Sequence, residues 1–136
     1  MEIDIFALCD GAYNYNGKLT LVGTYDQIVL NSVPQSFRSS LAVKIKFLPE
    51  DISEDSVLTV CYLDKQDTLI GDYKINIPKP PADAQHLSAA LAINKDLNLS
   101  DVGVLKIQLV LNKKILREKT IPISINNTAK EAEKKA

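Results

Sequence analysis

One histidine, two cysteines and a scatter of carboxylates are the groups with which this chain could do chemistry. Acid–base or nucleophilic catalysis needs a base beside a nucleophile, and a third group to orient the base. His86 is the sole histidine, and no serine stands in a Gly-x-Ser-x-Gly setting. His86 therefore reads as a surface or strand-end residue, and no catalytic set is expected. Zinc needs several Cys or His ligands at suitable spacing. Cys9 and Cys61 are too distant in sequence for that, and each reads as a buried, reduced thiol inside a strand. Calcium wants six to eight oxygens from converging carboxylates. If strands simply alternate in direction, one end of the molecule gathers Asp10, Glu50, Asp51, Glu54, Asp55 and Asp83. The other gathers Asp64, Asp67, Asp96 and Asp101. Acids on solvated turns are the default, so no metal site and no cofactor are expected. The five glycines are isolated, so no phosphate-cradling loop is present.

Four residues suit binding better than chemistry. Tyr13 and Tyr15 sit in an Ala-Tyr-Asn-Tyr-Asn-Gly turn, a composition common in binding loops. The alternative is that both rings pack back onto the fold and anchor the turn. Phe37 and Arg38 lie in the long connection Asn31–Ser40, where Phe37 either caps the core or is an exposed anchor. Tyr13, Tyr15, Phe37 and Arg38 are therefore the candidate partner-binding residues.

The elements that position them read as strands. Asn16-Gly17 separates two strand-like runs, the strongest short-range hairpin signal. The runs are Ile3–Cys9, Lys18–Val29, Leu41–Leu48, Val57–Leu63, Leu69–Ile77, Leu87–Ile93, Val104–Leu111 and Ile115–Ile125. In the first, Ile3, Ile5, Ala7 and Cys9 share one face. Gly23 in mid-strand suggests a bulge or a close backbone approach. In the third, Leu41, Val43, Ile45 and Phe47 alternate with outward Lys44 and Lys46. Ser88, Ala90 and Ala92 form a face of small residues that would let something pack close. Leu97–Val102 reads as a single turn. Pro122 places the last run at a sheet edge, or turns its own missing N–H outward. About eight strands with three tight hairpins predict an all-β, two-sheet antiparallel β-sandwich, immunoglobulin-like or C2-like.

The chain has 136 residues, the size of one domain, and its 46% hydrophobic content excludes disorder. The domain is placed at 1–125, with a charged, disordered tail at 126–136. Net charge is −1 and the basic residues are scattered, so neither nucleic acid nor a membrane surface is an expected partner. No signal-peptide pattern opens the sequence, which predicts a cytoplasmic location.

The segment Phe6–Ile28 resembles the opening of an uncharacterised bacterial family of small β-sandwich proteins. The resemblance lies in Ala7-Leu8-Cys9-Asp10, Ala12, Asn16-Gly17-Lys18-Leu19, Val22-Gly23 and Tyr25-Asp26, and it extends through Leu41–Phe47 to the closing hairpin. It implies the sandwich fold and a bacterial cytoplasmic origin; it implies no activity, since the family is a domain of unknown function. The expectation is a non-enzymatic interaction or assembly module with a protein partner; self-association into a homo-oligomer is a further reading. The alternative is an enzyme, or a small-ligand or metal-binding domain, working through the acidic loops with Asp10 and Asp26.

Overall fold

A computed structural model describes residues 1–81, 83–85 and 87–126. The expectations for His86 and for the tail beyond Asn126 lie outside the described residues. The described residues form nine strands: β1 (Glu2–Tyr15), β2 (Lys18–Thr24), β3 (Ile28–Leu30), β4 (Gln35–Phe47), β5 (Val57–Leu63), β6 (Leu69–Asn76), β7 (Leu87–Leu99), β8 (Gly103–Leu111) and β9 (Lys114–Ile125). They build two sheets, ordered β2-β1-β4-β7 and β3-β9-β8-β5-β6. The all-β, two-sheet sandwich is as predicted.

The core lies between the sheets. The inward faces of β4 and β8 supply Leu41, Val43, Ile45, Phe47, Leu105, Ile107 and Leu109, all fully buried. Each is one member of a period-2 alternation, which is how a sheet with one wet face is written in sequence. Phe6 and Leu8 of β1, Leu58, Val60 and Tyr62 of β5, and Ile93, Leu97 and Leu99 of β7 complete it.

Several expectations need correction. The run Lys18–Val29 is two strands. β2 stops at Thr24, and the chain crosses to the other sheet, where Ile28–Leu30 pairs with Ile123–Ile125 of β9. That pairing is parallel, so the sandwich is not purely antiparallel. β4 begins at Gln35, and Phe37 and Arg38 are therefore strand residues, opposite Leu97 and Asp96 of β7. The first half of the turn expected over Leu97–Val102 is strand: Leu97 and Leu99 are buried β7 residues that continue the inward face of Ile93, and only residues 100–102 form the connection. A register shift between Ile3 and Ile5 separates two residues assigned to one face. Ile3 packs with the main core, whereas Ile5 packs on the opposite side of the sheet with Cys9. β3 covers only the end of β9, so the stretch before Ile123 is an open edge, with Pro122 where the cover begins.

Cys9 belongs to one sheet and Cys61 to the other, and both are free thiols. Burial pushes each thiol's pKa up, and the carboxylates of Asp10 and Asp72 respectively push in the same direction.

Candidate functional site

The first hairpin is bent out of its sheet. β1 pairs with β4 only through Cys9; from there to Tyr15 it pairs with β2. A straight β1 would carry Asn14 alongside Gln35, at the far end of the sheet from Ala90. Instead the Asn14 carboxamide donates to the Ala90 carbonyl at 2.7 Å. The second half of β1 and all of β2 thus form an arm folded back over the outer face of β4 and β7. Its underside carries Ala12, Leu19 and Leu21, which pack with Cys9, Ala42 and Ala92 in a second small core. The small-residue face seen in the sequence is what lets the arm lie this close.

The turn at the tip is Asn16-Gly17, with φ of 51° and 77°. Two successive positive φ values define a type I′ turn, whose twist suits a hairpin. Asn14 Oδ1 accepts the Gly17 N–H at 3.1 Å and holds the turn from below. At the base of the arm Asp10 lies over Gly23, whose φ is +65°. A Cβ there would overlap the carboxylate, so the close approach predicted for Gly23 is real.

The upper side of the arm is apolar and open. Tyr13 is 62% exposed, Tyr15 76% and Val22 54%. The cross-strand pairs Gly11–Val22, Tyr13–Thr20 and Tyr15–Lys18 place these side chains on one face. Neither tyrosine packs back onto the sandwich. The Tyr13 ring lies beside Gly11, where an added Cβ would stand 3.1 Å from its hydroxyl.

Two open clefts flank the arm's base, of about 440 and about 390 Å³, and Asp10 and Arg38 line both. The first is completed by Tyr25, Val29 and Phe37, the second by Tyr13, Ser40 and Asn94. Three of the four predicted residues, Tyr13, Phe37 and Arg38, therefore meet around one base. Tyr15 stands apart, at the tip. Phe37 is half-buried and meets Tyr25 edge-on, with ring centroids 6.3 Å apart and planes at 86°. It closes the core rather than projecting from a loop. Burial pushes the Tyr25 phenol up to about 12, and Asp10 and then Cys9 add to the effect. Arg38 is exposed, with Asp96 opposite in register, and forms no ion pair among the described residues. Val22, Ser40 and Asn94 were not anticipated as site residues. The Tyr15–Lys18 register that follows from a two-residue turn was enough to find Val22.

The reactive side chains are occupied structurally. Ser39 donates to the Lys95 carbonyl at 2.7 Å, and Ser40 to Asn94 Oδ1 at 2.6 Å. Asp10 is a strand residue and does not join the acidic loops as expected. Asp51 accepts the Leu48 N–H, and Asp64 accepts the N–H groups of Gln66 and Thr68. Asp67 pairs with Lys106. Asp101 pairs with Lys65 at 2.6 Å; that hydrogen bond, and then one from the Val102 N–H, hold its carboxyl below the usual range. No three His, Cys, Asp or Glu side chains converge to hold a metal ion among the described residues. Beneath the Lys65–Asp101 pair lies a smaller crevice of about 110 Å³, floored by Ile70, Leu105 and Ile123.

The chain belongs to a family of unknown function, DUF6941, whose model matches residues 4–125. No curated protein matches it significantly. Among solved structures it is similar to an immunoglobulin-like protein from Pseudomonas aeruginosa, at 13% identity and a TM-score of 0.36. That match covers 90% of this chain and 97% of the other.

Proposed function

We propose that this chain is a non-enzymatic protein-binding module of the bacterial cytoplasm, and that it presents the outer face of its β1–β2 arm to a protein partner. One observation carries the reading: Tyr13, Tyr15 and Val22 form an exposed apolar face on a hairpin whose other side is packed down. Clustered exposed apolar groups mark interaction surfaces, whereas scattered ones mean little. Tyrosine suits the role, since it offers a large contact area with few rotors to freeze. Arg38 stands at the base of the arm as a polar rim residue. Two unbridged cysteines on separate sheets fit a reducing compartment. Among the described residues no helix is long and apolar enough to cross a membrane.

The test is affinity capture from cells of the native source with wild-type chain, with Y13S/Y15S, and with R38A. Exposed side chains contribute little to folding, so the variants should melt within about 0.5 kcal/mol of wild type. A stoichiometric partner that the double tyrosine variant loses and R38A retains weakly is the expected result. Equal capture by the folded double variant would remove the arm from the interface.

A further inference from the structure

Where the β5–β6 and β7–β8 connections meet, the crevice beneath Lys65 and Asp101 reaches down to the core. Its floor is apolar: Leu99, Leu105 and Ile123 are buried and Ile70 is half-buried. It shares no lining residue with the two clefts of the arm. An apolar cavity of about 150 Å³ holds the carbons of one benzene ring. At about 110 Å³ this crevice has room for roughly four carbons. That is the size of an aliphatic side chain and less than an aromatic ring needs.

Two opposite charges stand at its mouth, with Lys65 Nζ and Asp101 Oδ2 2.6 Å apart. Each is positioned by its own loop. Asp101 Oδ1 accepts the Val102 N–H at 2.7 Å, which leaves Oδ2 for a cation. The Lys65 stem lies across Gly103, where an added Cβ would stand 3.0 Å from Lys65 Cδ. The loop that carries Lys65 is tied down on both sides: Asp64 Oδ1 accepts the N–H groups of Gln66 and Thr68, and Asp67 pairs with Lys106. The Lys65–Asp101 pair itself parts readily, because both side chains are about half exposed and such pairs contribute little.

A ligand entering here parts the two charges, and it loses least when it gives each a new partner. A lone amine leaves Lys65 without a counter-charge, and a lone acid does the same to Asp101. A zwitterion serves both, its ammonium on Asp101 and its carboxylate on Lys65. An aliphatic group on the carbon between them then reaches the floor, the polar head and apolar body of an ordinary small-ligand site. From the opposed charges over an apolar crevice of this size we propose that the site binds a free aliphatic α-amino acid, of the size of valine, leucine or isoleucine. The proposal does not depend on the partner-binding reading above.

NMR titration of the ¹⁵N-labelled full chain with L-leucine, up to about 20 mM, tests it, since a Kd of about 1 mM suits so small a ligand. The amide shifts should concentrate at residues 64–66 and 101–104. Leucinamide keeps only the ammonium, N-acetylleucine only the carboxylate, and glycine lacks the aliphatic body, so each should bind at least about fivefold more weakly. K65Q and D101N change exposed side chains, should fold as wild type, and should each weaken leucine by a similar factor. No shifts with leucine overturn the proposal, and so does binding that K65Q and D101N, both shown folded by circular dichroism, leave unchanged. Leucinamide or N-acetylleucine binding as tightly as leucine overturns the zwitterion, and glycine binding as tightly overturns the role of the crevice.

Discussion

Replacing Tyr62 by phenylalanine should stabilise the protein, and by more as the solution becomes alkaline. Tyr62 is 0% exposed, and its hydroxyl has no hydrogen-bond partner among the described residues. The neighbouring Ser39 hydroxyl acts on the phenol only weakly, against a dominant effect of burial, and is itself spent on the Lys95 carbonyl. A buried polar group without a partner costs about 1–3 kcal/mol, so Y62F should gain on the order of 1 kcal/mol at pH 7. Burial also raises this phenol from its ordinary value of 10.0 to about 12. In the unfolded chain the same phenol ionises first. The unfolded state therefore binds fewer protons above pH 10, and stability that is fully present below pH 10 is lost as pH rises through 12. The loss works out at about 1.4 kcal/mol by pH 11 and about 2.3 kcal/mol by pH 12. Urea unfolding of both proteins at pH 7, 10, 11 and 12 reads the difference directly. Other groups titrate in that range, but they are common to both chains and cancel. A loss of stability at pH 7 in Y62F would show that the hydroxyl is bonded in solution, to Ser39 above all. A difference that stays flat from pH 10 to 12 would refute the raised phenol.

Two further outcomes test the arm. G23A should cost about 2 kcal/mol, because alanine pays for the positive φ and its Cβ meets the Asp10 carboxylate. Adding D10A should return the steric part only, and thermal melting of the three variants measures both. A42L should cost about 1–3 kcal/mol, since Ala42 is fully buried beneath the arm and leaves no room for a larger side chain. Limited trypsin digestion should then cut faster after Lys18; an unchanged rate would mean that the arm is not seated on Ala42.

Most of the fold was legible because it is written in local signals. Asn16-Gly17 fixed the first hairpin, and the alternation Leu41, Val43, Ile45, Phe47 fixed the inward face of β4. What failed was anything decided across the sandwich. β3 was hidden because Lys18–Val29 alternates almost without interruption, although Gly23 breaks the strand geometry and Ile28 belongs to the other sheet. Pairing with β9 gives those three residues their strand character, and three residues carry no periodic signal of their own. β7 was cut short at Ile93 because Asn94, Lys95 and Asp96 look like loop. Yet the inward positions run on to Leu97 and Leu99, with Lys95 as the one polar member. The bulge between Ile3 and Ile5 could not be seen at all, since it shows only as a change of partner.

The candidate site divides the same way. Tyr13 and Tyr15 were singled out by type, and their common face with Val22 follows from the register of a two-residue turn. That this face is open, rather than packed, depends on a long-range event: β1 leaves β4 after Cys9 and the arm folds over. The fold-back needs Ala42 and Ala92 below and Leu19 and Leu21 above, residues in three different strands. Had the chain gone straight on, those leucines would have formed an exposed apolar stripe of their own. Folding the arm back buries them and turns the tyrosines outward, so one local packing event both satisfies the hairpin's apolar side and displays its aromatic side. The same event leaves β2 as an edge that is neither covered nor charged along most of its length.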